Sequence, residues 1–216
     1  MAFPETSIID DFNRDNEGPP LSSDWTEIGY AAGGLKVSNN ECAPEDAGSC
    51  LEYYNVSTYG PNCEVYVTDR YNFAKNAVLI RLQSPDTAET DGYILEADIF
   101  EDPDILKLSR LDDGVRTLLG ASIEQVLDGD DKFGIESVGD THTIYYDDGG
   151  AGWGSLGSRT DSTYPDAGYL GLKIYGTASG ALDDFGGGTL AGGPDLNVAI
   201  VESDPAQWKT GVKIVG

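Results

Sequence analysis

Three acidic residues in the middle of the chain stand at a spacing that could support chemistry on a glycosidic bond. Glu96, Asp98 and Glu101 form the pattern Glu-x-Asp-x-x-Glu, and retaining glycoside hydrolysis needs two carboxyl groups about 5–5.5 Å apart. In a regular strand Glu96 and Asp98 share one face, whereas Glu101 points to the other. Only a β-bulge would bring Glu101 to the same side. We therefore favour a strand with a solvated acidic face, and we predict that the protein is not an enzyme.

A second pair of acidic residues lies in two similar segments that are far apart along the chain, IIDDFNR and LDDFGGG. We predict that these segments are neighbouring strands of one sheet, with Phe12 and Phe185 in the core. The same alternation places Asp10 and Asp183 on the face that points to the core. An unpaired carboxylate is costly to bury, so we expect backbone N–H groups to satisfy both. A Ca²⁺ ion held by Asp10 and Asp183 is the alternative.

Aromatic residues in polar or glycine-rich surroundings are the candidates for binding contacts. Trp and Tyr are enriched at interfaces because they combine an apolar ring with a polar end. We predict that Trp153, in the hairpin tip DDGGAGWG, is an exposed contact residue, with Tyr164 and Trp208 as further contacts. His142 is the only histidine and has no recognisable nucleophile motif near it, which favours an ordinary strand residue.

The composition limits the classes of partner. The chain has 216 residues, and its 38 acidic and 13 basic residues give a net charge of −25. We expect no nucleic-acid partner, because phosphate contacts need clustered Lys and Arg, and no membrane partner, because no apolar stretch could span a bilayer. The N-terminus lacks a signal peptide, which predicts synthesis in the cytoplasm. Cytoplasmic synthesis disfavours a disulfide between Cys42 and Cys50, although their spacing would allow one.

Short β-branched and aromatic segments separated by turn residues predict an all-β protein. The segment CEVYVTDRY alternates valines with Tyr66 and Thr68, which is the period of a strand buried on one face. Asp113 and Gly114, between two alternating segments, indicate a hairpin. About eleven to thirteen such strands favour a two-sheet antiparallel sandwich.

Several linked segments of the chain resemble one group of proteins. They are IIDDFNRDNEGPPLSSDWT at the start, YYNVSTYGPNCEVYVT, the DGY of residues 91–93, and YPDAGYLGLKIYGTASGALDDFGGGT near the end. Over residues 3–190 they resemble the laminin-G-like, concanavalin A-like jelly-roll proteins of bacteriophage virions, especially those of actinobacterial phages. The resemblance implies a curved two-sheet jelly roll on the virion surface, made in the host cytoplasm, that serves as a capsid decoration, head fibre or minor tail protein.

The same resemblance implies partners and ligands. Other virion proteins would be the partners, and the chain would assemble as a homo-oligomer. Related jelly rolls often bind carbohydrate on the concave sheet or at loop tips, sometimes through calcium, which implies host-surface glycans as ligands. No cofactor is required, and Ca²⁺ stays open as an alternative. No residue set in the sequence defines a sugar site.

The acidic pattern is also similar to the catalytic signature of laminarinase-type glycoside hydrolases, which share this general fold. Carried over, Glu96 would be the nucleophile, Asp98 its neighbour and Glu101 the acid/base. The residues that follow, DPDILKLSRLDDG, offer no aromatic platform for a sugar. This difference favours the non-catalytic interpretation.

The chain divides into a jelly-roll domain, residues 1–190, and a C-terminal anchoring arm, residues 191–216. The two short apolar strands expected in the arm cannot form a core alone, so we expect them to pair with a neighbouring subunit. Three functions are in competition. The preferred one is a virion structural protein that displays a glycan-binding jelly roll. The others are a stand-alone carbohydrate-binding module and a laminarinase-like hydrolase that uses Glu96 and Glu101.

Overall fold

The computed structural model describes residues 2–29, 33–70, 75–85, 90–175 and 181–191. Within these ranges sixteen strands form two antiparallel sheets of eight strands each. The described residues contain no helix that is long and apolar enough to cross a bilayer. The predicted all-β, two-sheet class is confirmed. The predicted number of strands is too low, because pieces as short as the three residues of β2 and the two of β11 leave no periodic pattern.

The strands of each sheet come from distant parts of the chain. Sheet I runs in the order β14 (Gly154–Thr160), β13 (Thr141–Asp147), β12 (Asp131–Val138), β6 (Cys63–Asp69), β16 (Leu182–Thr189), β4 (Glu41–Pro44), β3 (Leu35–Ser38), and β1 (Ile8–Asp10) pairs with β16. Sheet II runs in the order β10 (Val115–Leu118), β9 (Ile105–Asp112), β8 (Asp91–Asp98), β7 (Lys75–Gln83), β15 (Tyr169–Tyr175), β5 (Ser49–Tyr54), β2 (Trp25–Glu27), and β11 (Ile123–Glu124) pairs with β9.

The main core lies between the two sheets, where inward side chains of both interdigitate. Strand β6 is buried along its whole length, so the prediction that only one of its faces is buried is wrong. Val65 and Val67 face the core. The other face of β6 is covered by the N-terminal segment, because Phe3 packs against Tyr66 and the N–H of Thr6 donates a hydrogen bond to Glu64.

The first strand and the last described strand lie side by side, as predicted. β1 pairs antiparallel with β16, and Asp10 lies opposite Phe185. Phe12 and Phe185 are fully buried in one core, with ring centroids 6.2 and 5.0 Å from that of Trp25. Phe12, however, follows the end of β1 and has a φ of 49°. A left-handed turn, rather than strand alternation, therefore directs this ring inward.

Two fully buried charged residues connect the strands to the loops around them. Arg81 of β7 donates hydrogen bonds to three backbone carbonyls, those of Pro61, Tyr164 and Gly139. Glu52 of β5 accepts hydrogen bonds from two backbone N–H groups, those of Leu21 and Leu35. Burial raises the pKa of Glu52 to about 7 despite these two bonds. Arg81 therefore holds loop backbone in place from inside the domain, and Glu52 holds both loop backbone at Leu21 and the start of β3 at Leu35.

The three cysteines are buried in the core, and none of them forms a disulfide bond. Cys42 belongs to β4 of sheet I and Cys50 to β5 of sheet II, so a disulfide between them would cross the sandwich. Burial raises the pKa of each thiol. The pair is therefore part of the packing, and its thiols are poorly reactive.

Candidate functional site

Strand β8 carries Glu96 and Asp98 on the side of sheet II that points away from the core. Strand alternation places Tyr93, Leu95 and Ala97 in the core between the sheets. Glu96 and Asp98 therefore lie on the opposite side, which we call the outer face of sheet II. Both are buried there, so the prediction of a solvated acidic face is wrong: cations on the neighbouring strands contact them.

Two lysines from the flanking strands hold Asp98. Its Oδ2 atom is 2.7 Å from Lys75 Nζ on β7 and 3.0 Å from Lys107 Nζ on β9. Burial alone would raise the pKa of Asp98, but hydrogen bonds from both lysines and from the N–H of Phe100 outweigh it, and the pKa lies below its ordinary value. Asp98 is therefore an ionised anchor for two ammonium groups at neutral pH.

Glu96 is paired with a third cation and keeps one oxygen unpaired. Arg116 of the edge strand β10 donates a hydrogen bond from Nη1 to Glu96 Oε2. Lys75 Nζ is 3.8 Å from Oε1, which is too far for a hydrogen bond. Glu96 Oε1 is buried without a hydrogen-bond partner. A buried acceptor without a hydrogen-bond partner is unfavourable for the folded protein.

The third acidic residue, Glu101, lies beyond the end of the strand. β8 ends at Asp98, and its register with β9 is unbroken from Gly92 to Asp98, so no β-bulge separates Glu96 from Asp98. Glu101 Oε1 is 3.2 Å from Lys107 Nζ, the ammonium that also binds Asp98. The expectation that Glu101 points to the other face is wrong, because strand alternation stops before it is reached.

A fourth cation, Lys173 of β15, lies beside Tyr175 on the same face. The Tyr175 ring centroid is 4.7 Å from Lys173 Nζ, 5.1 Å from Arg116 Cζ and 5.6 Å from Lys75 Nζ. Burial and then the charge of Arg116 lower the pKa of Lys173 to about 8. We call these four cations, with Glu96, Asp98 and Tyr175, the charged cluster.

Next to the charged cluster, the outer face of sheet II is apolar and aromatic. A second group of buried apolar side chains lies there, separate from the core between the sheets: Ile28, Leu51, Ala77, Leu79, Leu82, Ile94 and Leu111. Half-buried Tyr53, Tyr169 and Tyr175 pack against this group. The rings of Tyr53 and Tyr169 are 4.9 Å apart, a distance typical of a packed aromatic pair.

The four cations of the charged cluster are the functional candidates that sequence analysis missed. They are Lys75, Lys107, Arg116 and Lys173, and each stands on a different strand. Alternation within a single strand shows which of its residues share a face, but not which other strands lie beside it. The convergence of the four cations depends on β7 and β9 both flanking β8 and on β15 lying beside β7, which the order of segments along the chain does not reveal.

Protein donors satisfy Asp10, but the prediction that Asp183 points to the core is wrong: Leu182 beside it enters the core, and the left-handed φ of 51° at Asp184 breaks the alternation before Phe185. Asp10 accepts hydrogen bonds from the Trp25 indole, at 2.9 Å, and from the Arg14 guanidinium. Asp183 accepts one from the N–H of Asp184, and burial raises its pKa to about 6. The described residues contain no group of three or more His, Cys, Asp or Glu placed to hold a metal ion. Donor groups therefore occupy the Asp10 oxygens that a Ca²⁺ ion would need.

Trp153 belongs to an aromatic cluster on the outer face of sheet I. It is half-buried, and its ring meets that of Phe3 edge-on at 4.9 Å. Phe3 in turn stacks on Tyr145, with parallel rings 4.0 Å apart. Tyr66 lies 5.9 Å from Trp153. In this arrangement Trp153 packs against the chain's own N-terminal segment.

Of the two other predicted contact residues, the structure describes Tyr164 but not Trp208. The Tyr164 hydroxyl lies 2.9 Å from Oδ1 of Asp91 and 2.9 Å from Oδ1 of Asp112. Its N–H donates to the hydroxyl of Tyr93, so Tyr164 fastens the β14–β15 loop to sheet II. Trp208, like all of the predicted anchoring arm after Ala191, lies outside the described residues.

His142 is a fully buried strand residue. Its Nδ1 atom is 2.8 Å from Ser137 Oγ, and its Nε2 atom faces the carbonyl of Asp161 at 3.2 Å. The Tyr93 ring lies 4.0 Å away. Burial lowers the pKa of His142 to about 4, so the imidazole is neutral near pH 7. The Ser137–His142 pair has no exposed atom that a substrate could approach.

Comparisons with solved structures identify the fold. The VIP36 exoplasmic/lumenal domain bound to Ca²⁺ and Man3GlcNAc superposes with a TM-score of 0.59 and 14% identity, over 86% of this chain and 89% of that one. The metal-free Emp46p carbohydrate recognition domain gives 0.56 and 12%, over 84% and 95%. Bacillus licheniformis beta-glucanase gives 0.56 and 11%, over 84% and 97%. The protein therefore has a concanavalin A-like jelly-roll fold. No protein-family model matches the sequence, and no curated protein is significantly similar to it.

Proposed function

We propose that the protein is a non-enzymatic saccharide-binding jelly roll and that the outer face of sheet II is its binding face. The observation that carries the proposal is the composition of this face. It combines half-buried tyrosines, such as Tyr53 and Tyr169, with the neighbouring charged cluster, in which buried Glu96 Oε1 has no hydrogen-bond partner. Rings that pack on a sugar, together with a few fixed polar atoms that take its hydroxyls, are what a small-molecule site requires.

The fold agrees with this proposal without deciding it. One structure that superposes on the chain is titled a carbohydrate recognition domain and another a glucanase, so the fold itself serves both binding and hydrolysis. The choice between the two rests on the chemistry of this chain's own carboxylates.

The charged cluster favours binding over hydrolysis. A retaining glycosidase needs one carboxyl group that is kept protonated as the acid, close to a second that acts as nucleophile. Here the pKa of Asp98 is lowered, and Arg116 donates a hydrogen bond to Glu96. Glu101 sits in the turn with the Lys107 ammonium beside it. Each of the three carboxyl groups thus lies beside at least one cation and takes part in an ion pair.

A glycan array followed by isothermal titration calorimetry tests the proposed function. We expect the full chain to bind at least one class of oligosaccharide, and the double variant Tyr53→Ala/Tyr169→Ala to lose that binding. Trp153→Ala, on the outer face of sheet I, is the matched aromatic control and should bind normally. Absence of binding to every glycan, or equal loss in both variants, contradicts the proposal.

The same preparation tests whether binding needs a metal ion and whether the protein hydrolyses β-glucan. Addition of EDTA should leave binding unchanged, because no cofactor is required in this proposal and the Asp10 oxygens already accept hydrogen bonds from Arg14 and Trp25. Incubation with β-glucan should release no reducing sugar. Release that Glu96→Gln abolishes would establish hydrolysis instead.

The second candidate function is assembly on the surface of a bacteriophage virion, and an exposed sheet edge favours it. β10, at the end of sheet II, exposes all four of its residues, with Val115 at 67% and Leu118 at 48%. Phe100 and Val126, in the turns next to β9 and β11, are 64% and 65% exposed. An apolar edge strand with free backbone groups is a template for pairing with another chain. The partners would be copies of this chain and other virion proteins.

Particle incorporation separates display on a virion from a stand-alone module. A chain that ends at Ala191 should bind saccharide as the full chain does but should fail to enter particles, if the arm anchors the domain. Val115→Lys with Leu118→Lys should keep the fold and reduce self-association, which sedimentation velocity measures. Normal incorporation of the shortened chain would rule out the anchoring role predicted for residues 191–216.

A further inference from the structure

On the outer face of sheet I, three neighbouring strands leave a slot between two aromatic rings. Tyr66 of β6, Gly134 of β12 and Tyr145 of β13 lie side by side in the register of the sheet. Gly134 stands in the middle of this row and has no side chain, so a gap separates the two tyrosines. Trp153, immediately before β14, lies next to the gap, with its ring 5.9 Å from that of Tyr66. We call the space bounded by these four residues the aromatic slot.

The side chain of Phe3 fills the aromatic slot and is buried there. Its ring stacks on Tyr145 with the centroids 4.0 Å apart, meets Trp153 edge-on at 4.9 Å and lies 6.1 Å from the Tyr66 ring. A Cβ on Gly134 would come within 2.7 Å of Phe3 Cζ, so the missing side chain is what gives the ring its place. The slot therefore accepts one aromatic side chain from above the sheet.

Polar contacts beside the slot hold the backbone of the segment that follows Phe3. Glu64 Oε1 accepts hydrogen bonds from the N–H of Glu5 at 2.7 Å, from the N–H of Thr6 at 2.6 Å and from the Thr6 hydroxyl at 2.7 Å. The Tyr66 hydroxyl donates to the Thr6 carbonyl at 3.0 Å. Bonds from N–H groups to a carboxylate are charge-assisted and are stronger than those between neutral groups. Apart from the Thr6 hydroxyl, these contacts reach only backbone atoms, so they do not require the side chain of Glu5.

The side chain of Glu5 is the part of the bound segment that suits this surface least. Glu64 lies opposite Glu136 in the β6–β12 register, and like charges in this position repel each other. Glu5 adds a third carboxylate, because burial, followed by the charges of Glu64 and Glu5, raises the pKa of Glu136. A neutral residue in place of Glu5 would remove this repulsion, and a lysine or arginine would replace it by attraction. The chain's own segment is therefore not the best ligand for the surface that it covers.

We infer that the aromatic slot and Glu64 form a binding site for an extended peptide segment of another protein, and that residues 2–7 of this chain occupy the site when no such partner is present. The partner inserts an aromatic side chain where Phe3 lies and carries a neutral or basic residue where this chain has Glu5. Residues 2–7 precede the first strand, so they can leave the sheet without removing a strand from it. The site lies on the opposite side of the sandwich from the proposed saccharide face and is independent of it.

Fluorescence anisotropy with two labelled peptides tests the inference on the full chain. One is the acetylated peptide of residues 2–7, AFPETS, and the other is the same peptide with Glu5→Lys. The tethered segment competes with any added peptide at a high effective concentration, so the Phe3→Ala protein should bind the Glu5→Lys peptide about tenfold more tightly than the wild type does. That peptide should in turn bind about fivefold more tightly than AFPETS, which is the size of one exposed ion pair.

Matched variants locate the site. Phe100→Ala is the control protein, because it removes an exposed aromatic ring beside sheet II and leaves the slot occupied, so it should bind peptide as the wild type does. Adding Trp153→Ala to Phe3→Ala damages the slot itself and should abolish the gain. A peptide with Phe3→Ala should bind about tenfold more weakly than its parent. A thermal melt checks that each protein variant folds, and Phe3→Leu replaces Phe3→Ala if the latter does not.

Four results would overturn the inference. They are the absence of peptide binding, equal binding by the wild type, Phe3→Ala and Phe100→Ala proteins, and equal affinity for the two peptides. The fourth is a wild-type dimer in sedimentation velocity that Phe3→Ala abolishes, because the occupant would then be residues 2–7 of a second copy. None of these results bears on saccharide binding, which the glycan array tests separately.

Discussion

The two outer faces of the sandwich are closed in different ways. On sheet I the chain's own N-terminal segment covers the strands: Phe3 stacks on Tyr145, and one oxygen of Glu64 accepts three hydrogen bonds from Glu5 and Thr6. On sheet II the face presents tyrosines, four cations and two buried carboxylates. The N-terminal segment thus covers one face, whereas the other carries the charged cluster and the tyrosines that we propose bind saccharide.

The distribution of unpaired polar atoms follows the same division. Among the described residues five buried side-chain atoms lack a hydrogen-bond partner. Three of them, on Ser49, Glu96 and Tyr175, lie on the outer face of sheet II; Glu64 on sheet I and Asn76 between the sheets supply one each. Such atoms cost stability. Three of the five atoms therefore lie on the face that we propose binds saccharide.

The largest expected effect on stability comes from removing a ring that covers the outer face of sheet I. Phe3→Ala removes a ring that is 8% exposed and packs on Tyr145, Trp153 and Tyr66, so it should lower the free energy of unfolding by about 3 kcal/mol. Phe100→Ala, at a position that is 64% exposed beside sheet II, should change it by less than about 0.5 kcal/mol. Urea denaturation measures both. Similar losses in the two variants would contradict the division between the faces.

Buried titratable residues between the two faces should determine how the free energy of unfolding changes as the pH falls. The pKa of His142 falls from its ordinary value of 6.5 to about 4, so the unfolded chain binds this proton more readily than the folded one. Its contribution is complete above pH 6.5 and is lost as pH falls toward 4, by up to about 3 kcal/mol. Glu52, with a pKa raised to about 7, acts in the opposite sense.

A variant isolates the histidine from that opposing carboxyl. His142→Gln keeps Glu52 and loses only the imidazole. The difference in unfolding free energy between wild type and variant should shrink by up to about 3 kcal/mol between pH 7 and pH 4. Urea denaturation across this range checks it. A constant difference would mean that His142 titrates normally in the folded protein.

A smaller effect on stability should come from filling the space beside Gly186 that the Tyr66 ring occupies. A Cβ at Gly186 would overlap the Tyr66 ring, so Gly186→Ala should destabilise the protein by about 2 kcal/mol through overpacking. Gly150→Ala is the control, because a Cβ there meets nothing within 4 Å. Thermal melts of the two variants make the comparison. If Gly186→Ala melts with the control, Tyr66 is not tightly held.

The smallest effect compares one hydroxyl on each face. The Tyr66 hydroxyl donates to the carbonyl of Thr6 at 3.0 Å, so Tyr66→Phe should cost about 1 kcal/mol. The buried Tyr175 hydroxyl has no hydrogen-bond partner, so Tyr175→Phe should stabilise the protein by about 1 kcal/mol. The latter variant should nevertheless bind saccharide more weakly. Equal stability costs would show that both hydroxyls serve the fold.

Features that depend on one strand or on two similar strands could be predicted from the sequence. Alternation places Glu96 and Asp98 together, and the similarity of their segments predicts that Phe12 and Phe185 meet. Alternation could not predict which side chains surround Glu96 and Asp98. Lys173 reaches the site only because β15 lies beside β7, a neighbour relation set by the whole topology. Phe3 lies in a segment without strand periodicity, so no sequence pattern predicts that it packs against Tyr145.

The position of β16 has a consequence for how this chain must be made. β16 lies in the interior of sheet I between β6 and β4, and it also pairs with β1, so one sheet lacks an interior strand until nearly the whole domain has left the ribosome. Contacts of such high sequence separation slow folding, and an unfinished sheet exposes edges that invite aggregation. During synthesis the nascent chain therefore has most need of chaperone protection just before Leu182 emerges.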